Sequence, residues 1–177
     1  MEPMPAVLRS ERRFQGRVFE VRTDTLALDG KTHHLDIVVH PGSFTIAAMP
    51  QPGHLILVRQ YRHAARTYMW ELPAGSAEGS ESCEAGARRE LREETGYTAD
   101  RFELLASLYP TPGFCTELLH VYRAQGLHAG QQQLDEDEAI TAAEFSFKQA
   151  WRMQASGEIA DMKTVLALLW LESRQVK

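Results

Sequence analysis

Glu90, Glu93 and Glu94 are the residues of this chain whose type and spacing could do chemistry. They lie in Arg89-Glu90-Leu91-Arg92-Glu93-Glu94-Thr95-Gly96-Tyr97, which follows Gly75, five residues, Glu81 and seven more. Ala, Arg, Glu and Leu dominate from Glu81 to Thr95, and Gly86 is the one strong breaker there, so the stretch predicts a helix. Gly96 suits the residue that closes it. On a wheel counted from Cys83, Ala87 and Leu91 fall at roughly 40° and 80°, Glu90 and Glu94 at roughly −20° and 20°, and Glu93 at about −80°. Arg88, Arg89 and Arg92 point the other way. Glu90 and Glu94 are like charges at i,i+4, which costs a helix a few tenths of a kcal/mol, and partial burial adds to that. A hard divalent cation would compensate, because Mg²⁺ takes oxygen ligands from one or two carboxylates plus substrate phosphates. Most glutamate clusters are solvated helix faces; a face shared with Ala87 and Leu91 argues against that here.

Several elements must position that helix. Residues 1–13 read as a polar lead-in. Phe14 to Leu28 alternates apolar and polar residues, Asp29-Gly30 is a turn signal, and His33 to Val39 returns as a second strand. A lone hairpin buries little, so residues 1–42 must lie on the main domain, 43–177, or on another subunit. Phe44–Met49 and His54–Arg62 read as strands, the second with a continuous apolar run. Arg59, Arg62 and Arg66 are guanidinium forks of the kind that bind diphosphates, or solvated and ion-paired arginines. Trp70-Glu71-Leu72-Pro73-Ala74-Gly75 then brings a bent backbone to the helix.

Further on, Phe102–Leu108 and Leu118–Tyr122 read as strands around the rigid turn Pro110-Thr111-Pro112-Gly113-Phe114. Gly126 to Glu138 reads as a polar loop of a length that is usually functional or disordered. Ile140–Phe147 is a strand and Lys148–Ser156 a helix, and Asp161 N-caps a last helix. The pattern suits a mixed sheet between helices, an α/β fold.

Bulk properties narrow the function. The chain has 177 residues, 44% hydrophobic and 24% charged, with net charge −5. It is long enough for one domain with a real core. The negative charge argues against nucleic acid as a partner, so an anionic substrate needs local arginines or metal ions. Cys83 and Cys115 lack metal-ligand spacing and fit a reducing cytosol. No apolar run reaches membrane-spanning length, and a cytoplasmic location is expected.

The stretch Gly75–Tyr97 resembles the Nudix box over every fixed position, with Tyr97 a mild departure in the last, bulky slot. The resemblance implies an α/β/α sandwich, preceded here by an N-terminal β-hairpin subdomain. It implies a hydrolase of nucleoside diphosphates linked to another group. Mg²⁺ or Mn²⁺ would be held by Glu90, Glu94 and Glu93, with the Ala74 carbonyl as a further ligand. Residues 70–75, the turn with Pro112 placed 15 residues beyond Tyr97, and the acidic run 134–138 resemble the ADP-ribose and ADP-sugar pyrophosphatases; Thr111 stands where that subgroup has serine. That subgroup implies a homodimer exchanging N-terminal hairpins, and a catalytic glutamate matched to Glu136. Glu93 and Glu138 remain alternative general bases. Arg59, Arg62, Glu71 and Pro112 are the expected substrate contacts. Phe19 or Phe14 would stack a purine, although core burial is the commoner fate of such residues. GDP-mannose or another nucleotide sugar is an alternative substrate, and a non-catalytic ADP-ribose-binding regulator is an alternative of another class.

Overall fold

The computed structural model describes residues 4–134 and 139–175. The chain divides into two compact units, 1–42 with 108–119, and 43–107 with 120–177.

The first unit is built on an antiparallel sheet in the order β1 (Ala6–Gln15), β2 (Glu20–Leu28), β3 (Lys31–Val39). Asp29 and Gly30 both take positive φ, 52° and 72°, in the two-residue turn between β2 and β3, as a tight right-twisting hairpin needs. The polar lead-in is therefore a strand over most of its length. Its run Arg9-Ser10-Glu11-Arg12-Arg13 disguised it, because nearly all of β1 is exposed and carries no apolar alternation. Asp24 is the buried polar anchor of this sheet, accepting from Ser10 Oγ at 2.6 Å and Arg22 Nε at 3.1 Å. Residues 108–119 join through Val38 N, which donates to Phe114 O at 2.8 Å, and Thr116 N, which donates to Val38 O at 2.9 Å. The Pro112 turn is closed by Cys115 N donating to Thr111 O at 3.0 Å. Phe14 and Phe19 are exposed and touch each other, ring centroids 6.2 Å apart. Core burial of either is thus corrected: Phe14 is 54% and Phe19 41% exposed.

The second unit contains β4 (Ser43–Met49), β5 (His54–Arg62), β6 (Thr67–Glu71), β7 (Ala74–Gly75), α1 (Cys83–Thr95), β8 (Tyr97–Leu108), β9 (Leu119–Ala129), β10 (Thr141–Ser146), α2 (Phe147–Ser156) and α3 (Met162–Gln175). Its sheets run β10-β5-β6 and β7-β4-β9-β8. Phe44, Ile46, Ala48, Ile56, Tyr122 and Ala124 form a core against Ala87 and Leu91 of α1. Gly86 allows the close approach, since a Cβ there would meet the Phe44 ring at 2.6 Å. Ser146 caps α2 in a reciprocal capping box with Gln149. Asp161 Oδ1 accepts from Thr164 N at 3.0 Å at the start of α3, as its position before the apolar run implies.

Several boundaries differ from expectation: the stretch Phe14 to Leu28 is split between β1 and β2, and β8 starts at Tyr97 rather than Phe102. β6 has no strand signal in the sequence beyond Tyr68 and Trp70, yet pairs antiparallel with β5 from Thr67 to Glu71. β9 runs on to Ala129, with Gly126 at φ 68° beside Asp100. The loop before β10 therefore starts at Gly130, four residues later than its composition suggests; β9 lies between β4 and β8, and pairing with them carries the strand through.

Candidate active site

Helix α1 starts where Ser82 Oγ accepts from Ala85 N at 3.2 Å. It ends where Gly96, at φ 76°, donates to Arg92 O at 2.8 Å. Between these caps the expected inward face is present: Ala87, Leu91 and Glu94 are buried, and Glu90 is half-buried. Glu94 Oε2 accepts from Ala74 N at 3.0 Å. The Glu90 carboxylate lies so close to Gly75 that an added Cβ would run into it. Ala74 and Gly75 are in turn held by β4, paired with Thr45 and Phe44. Two carboxylates and the strand Ala74–Gly75 thus converge on one spot.

That donor set is hard oxygen only. Among the described residues no three His, Cys, Asp or Glu side chains form a ready cage. Mg²⁺ does not ask for one, because it keeps several waters and takes one or two carboxylates beside substrate phosphates. Glu90 and Glu94 fit such an ion, and the Ala74 carbonyl lies on the same short strand.

Arg89 corrects the wheel. It does not face outward; only 21% of its side chain is exposed. Its Nη1 donates to Glu90 Oε1 at 3.1 Å and Glu93 Oε2 at 2.9 Å, and its Nη2 to Glu81 Oε1 at 2.9 Å. The Glu81 hydrogen bond foremost, then those of Glu93 and Glu90, hold its pKa above that of an ordinary arginine against the pull of burial. Glu81 is lowered in turn, chiefly by the Arg89 hydrogen bond. Glu81 therefore serves as an anchor for Arg89. The long guanidinium swings back over the helix N-terminus, which wheel angles do not register. Arg88 and Arg92 are exposed as expected; Arg88 pairs with Glu84 and lies 4.3 Å over the Phe102 ring.

Arg62 grips Glu71 in a fork, Nε to Oε1 at 2.6 Å and Nη2 to Oε2 at 3.0 Å. Glu71 is 1% exposed and also accepts from Lys163 Nζ. Burial alone would raise the Glu71 pKa, but the Arg62 hydrogen bonds and the Lys163 charge outweigh it and hold the carboxyl below the usual range. Arg59 stacks on Tyr68, 4.7 Å from guanidinium to ring centroid. Glu71 therefore lies beneath Arg62 rather than on a surface open to a ligand. Pro112 and Phe19 belong to the other compact unit.

A depressed folded-state pKa stabilises the protein above the unfolded value and loses that contribution as pH falls through the folded one. Glu71 should therefore contribute fully above pH 4.5, its ordinary value, and lose its contribution below it. Glu71→Gln is expected to be less stable than wild type at neutral pH, with a gap that narrows on acidification below that point. Urea unfolding at stepped pH measures this. A gap that stays constant from neutral pH to well below the ordinary carboxylate range would show that Glu71 titrates normally.

Glu136 and Glu138 lie outside the described residues. The backbone leading to them is fixed to α1: Gln133 N donates to Glu93 O at 3.0 Å, and Gln132 Nε2 to Glu94 O at 2.5 Å. Gln132, the middle of three consecutive glutamines, and Lys163 carry no sequence signal, since such side chains are usually solvated.

A family model described as NUDIX domain matches residues 39–169. ADP-ribose pyrophosphatase of Bacillus subtilis (strain 168) is 34% identical over 171 residues, 95% of this chain and 92% of that protein. Methanol dehydrogenase activator of Bacillus methanolicus is 35% identical over 171 residues, with the same coverage. A crystal structure of an ADP compounds hydrolase superposes with a TM-score of 0.84 at 23% identity, over 97% of this chain and 94% of that one. Among the described residues no helix is long and apolar enough to cross a membrane.

Proposed function

Because this chain belongs to the NUDIX domain family, we propose that it hydrolyses the diphosphate bond of ADP-ribose, to AMP and ribose 5-phosphate, or of a related nucleoside diphosphate sugar. The observation that carries this reading is Glu90 and Glu94 facing the Ala74–Gly75 strand from one side of α1. The two phosphates shield phosphorus behind anionic oxygens, so their charge must be met locally in a protein of net charge −5. Glu90, Glu94, Glu93 and the Ala74 carbonyl would hold Mg²⁺ or Mn²⁺, which would supply that neutralisation and lower the pKa of a bound water. Arg62 and Arg59 orient the diphosphate. Glu136 takes the proton of the attacking water as general base, and Glu93 is the runner-up.

The experiment is a panel of ADP-ribose, GDP-mannose and other nucleotide sugars, read as kcat/KM with metal and after chelation. Metal-dependent AMP release from ADP-ribose, faster than any other cleavage, is expected. No cleavage of any diphosphate would refute the reading and leave a binding protein.

The working form in this reading is a cytoplasmic homodimer joined through residues 1–42. The first unit exposes Val7, Leu8, Phe14, Val18, Phe19 and Phe114, apolar side chains that a second copy would cover. Deleting residues 1–42 should give monomers or aggregates with raised KM. A monomeric mass for the full chain at micromolar concentration would contradict the dimer.

A further inference from the structure

The start of α3 and the connection that precedes it are stitched to β6 and the residue after it. Trp70 N donates to Glu158 O at 2.8 Å, and Leu72 N to the buried Thr164 Oγ1 at 2.9 Å. Between them Lys163 Nζ reaches Glu71 Oε2. Lys163 is held from the other side by Asp161 Oδ1 at 2.9 Å, the residue that also caps α3. Arg62, Glu71, Lys163 and Asp161 form a chain of alternating charge that sums to zero, with only Arg62 substantially exposed, at 41%.

The geometry gives each member a different task. A guanidinium in a two-bond fork lies near the plane of its carboxylate. Whatever fixes the plane of the Glu71 carboxylate therefore fixes the direction of the remaining Arg62 nitrogen, Nη1. The fork uses Nε and Nη2 and leaves Nη1 outside it; the guanidinium also feels the charges of Glu94 and Asp161. Lys163 is a third contact on that carboxylate and prevents it from rotating about its last bond. Without Lys163 the fork would persist but could swing as a unit.

We propose that Lys163 is a positioning residue for substrate binding: through Glu71 it aims Arg62 Nη1 at the diphosphate. This rests on the functional reading above. It assigns to the start of the last helix, far from β5 in sequence, control over the arginine that meets the substrate.

The test is a double-mutant cycle with ADP-ribose as substrate. Lys163→Met is expected to raise KM about tenfold with kcat within about twofold, the size of a direct coupling between neighbours. Lys163→Arg should restore most of the loss. In an Arg62→Met background the same Lys163→Met change should leave KM unmoved, because there is nothing left to aim. Asp161→Asn is the second variant should Lys163→Met not fold: Asn still caps the helix but releases Lys163. It should raise KM with Arg62 present and not without it. Equal KM effects in both backgrounds, or none in either, would mean that Lys163 is structural only. Wild-type protein that cleaves no member of the substrate panel overturns the functional reading and this inference with it. Active wild type with an additive cycle overturns this inference alone.

Discussion

Glu94→Gln should lower kcat on ADP-ribose by about 10³-fold while leaving the fold intact. Metal-assisted charge neutralisation is worth several kcal/mol in the transition state, and each ~1.4 kcal/mol is tenfold in rate. The amide oxygen of glutamine can still accept from Ala74 N, so the contact between α1 and β7 survives. The charge does not. Glu90→Gln should behave alike in kcat with only a small change in stability, because relief of the like-charge i,i+4 pair is offset by a weakened hydrogen bond from Arg89 Nη1. Glu84→Gln is the control, on the exposed face beside Arg88. The measurements are kcat at saturating Mg²⁺ and thermal midpoint for each variant. Near-wild-type turnover in Glu94→Gln or Glu90→Gln would remove these carboxylates from the metal site. A large loss in Glu84→Gln would show that any charge change on α1 is disruptive, and that the inward face is not special.

The inward face was legible because helical periodicity is a backbone property. Cys83, Ala87, Leu91, Glu90 and Glu94 lie where angles of ~100° per residue put them, and Gly96 and Asp161 cap as their types allow. What lay beyond the sequence is set by side-chain reach and by partner strands. The pairing of Arg89 with Glu93 follows from i,i+4 spacing, but its reach to Glu81 and Glu90 does not. Glu71 reads as one acid in a bent approach to the helix; only the fold shows that Arg62 from β5 and Lys163 from α3 meet on it. β1 and β6 were hidden for a related reason. Strands whose side chains are exposed on both faces, or mixed in polarity, are defined by their neighbours' hydrogen bonds and leave no alternation to read. The shortened loop before β10 has the same cause, with β9 carried through Gly126 by its flanking strands.

The general base should be separable from the metal ligands by two measurements on the same variants. Both Glu93 oxygens already accept from guanidinium groups, Oε2 from Arg89 at 2.9 Å and Oε1 from Arg92 at 3.2 Å. To take a proton from water, Glu93 would have to loosen one of these cations, whereas a metal ligand need only share an oxygen. In the proposed mechanism Glu93 therefore belongs to the metal site and Glu136 is the base. A base that acts only on water is placed by substrate, so Glu136→Gln should lower kcat by about 10²- to 10⁴-fold with Mn²⁺ affinity nearly unchanged. Glu93→Gln should weaken Mn²⁺ binding as well, by about 10- to 100-fold, the range for removing a supporting group at a metal site. Glu138→Gln should do neither. The experiment is kcat on ADP-ribose alongside Mn²⁺ titration for the three variants. If Glu136→Gln keeps more than about a third of the wild-type rate, far above what loss of a positioned base allows, the assignment fails. Glu93 then becomes the base provided that its own substitution lowers kcat without touching Mn²⁺ affinity.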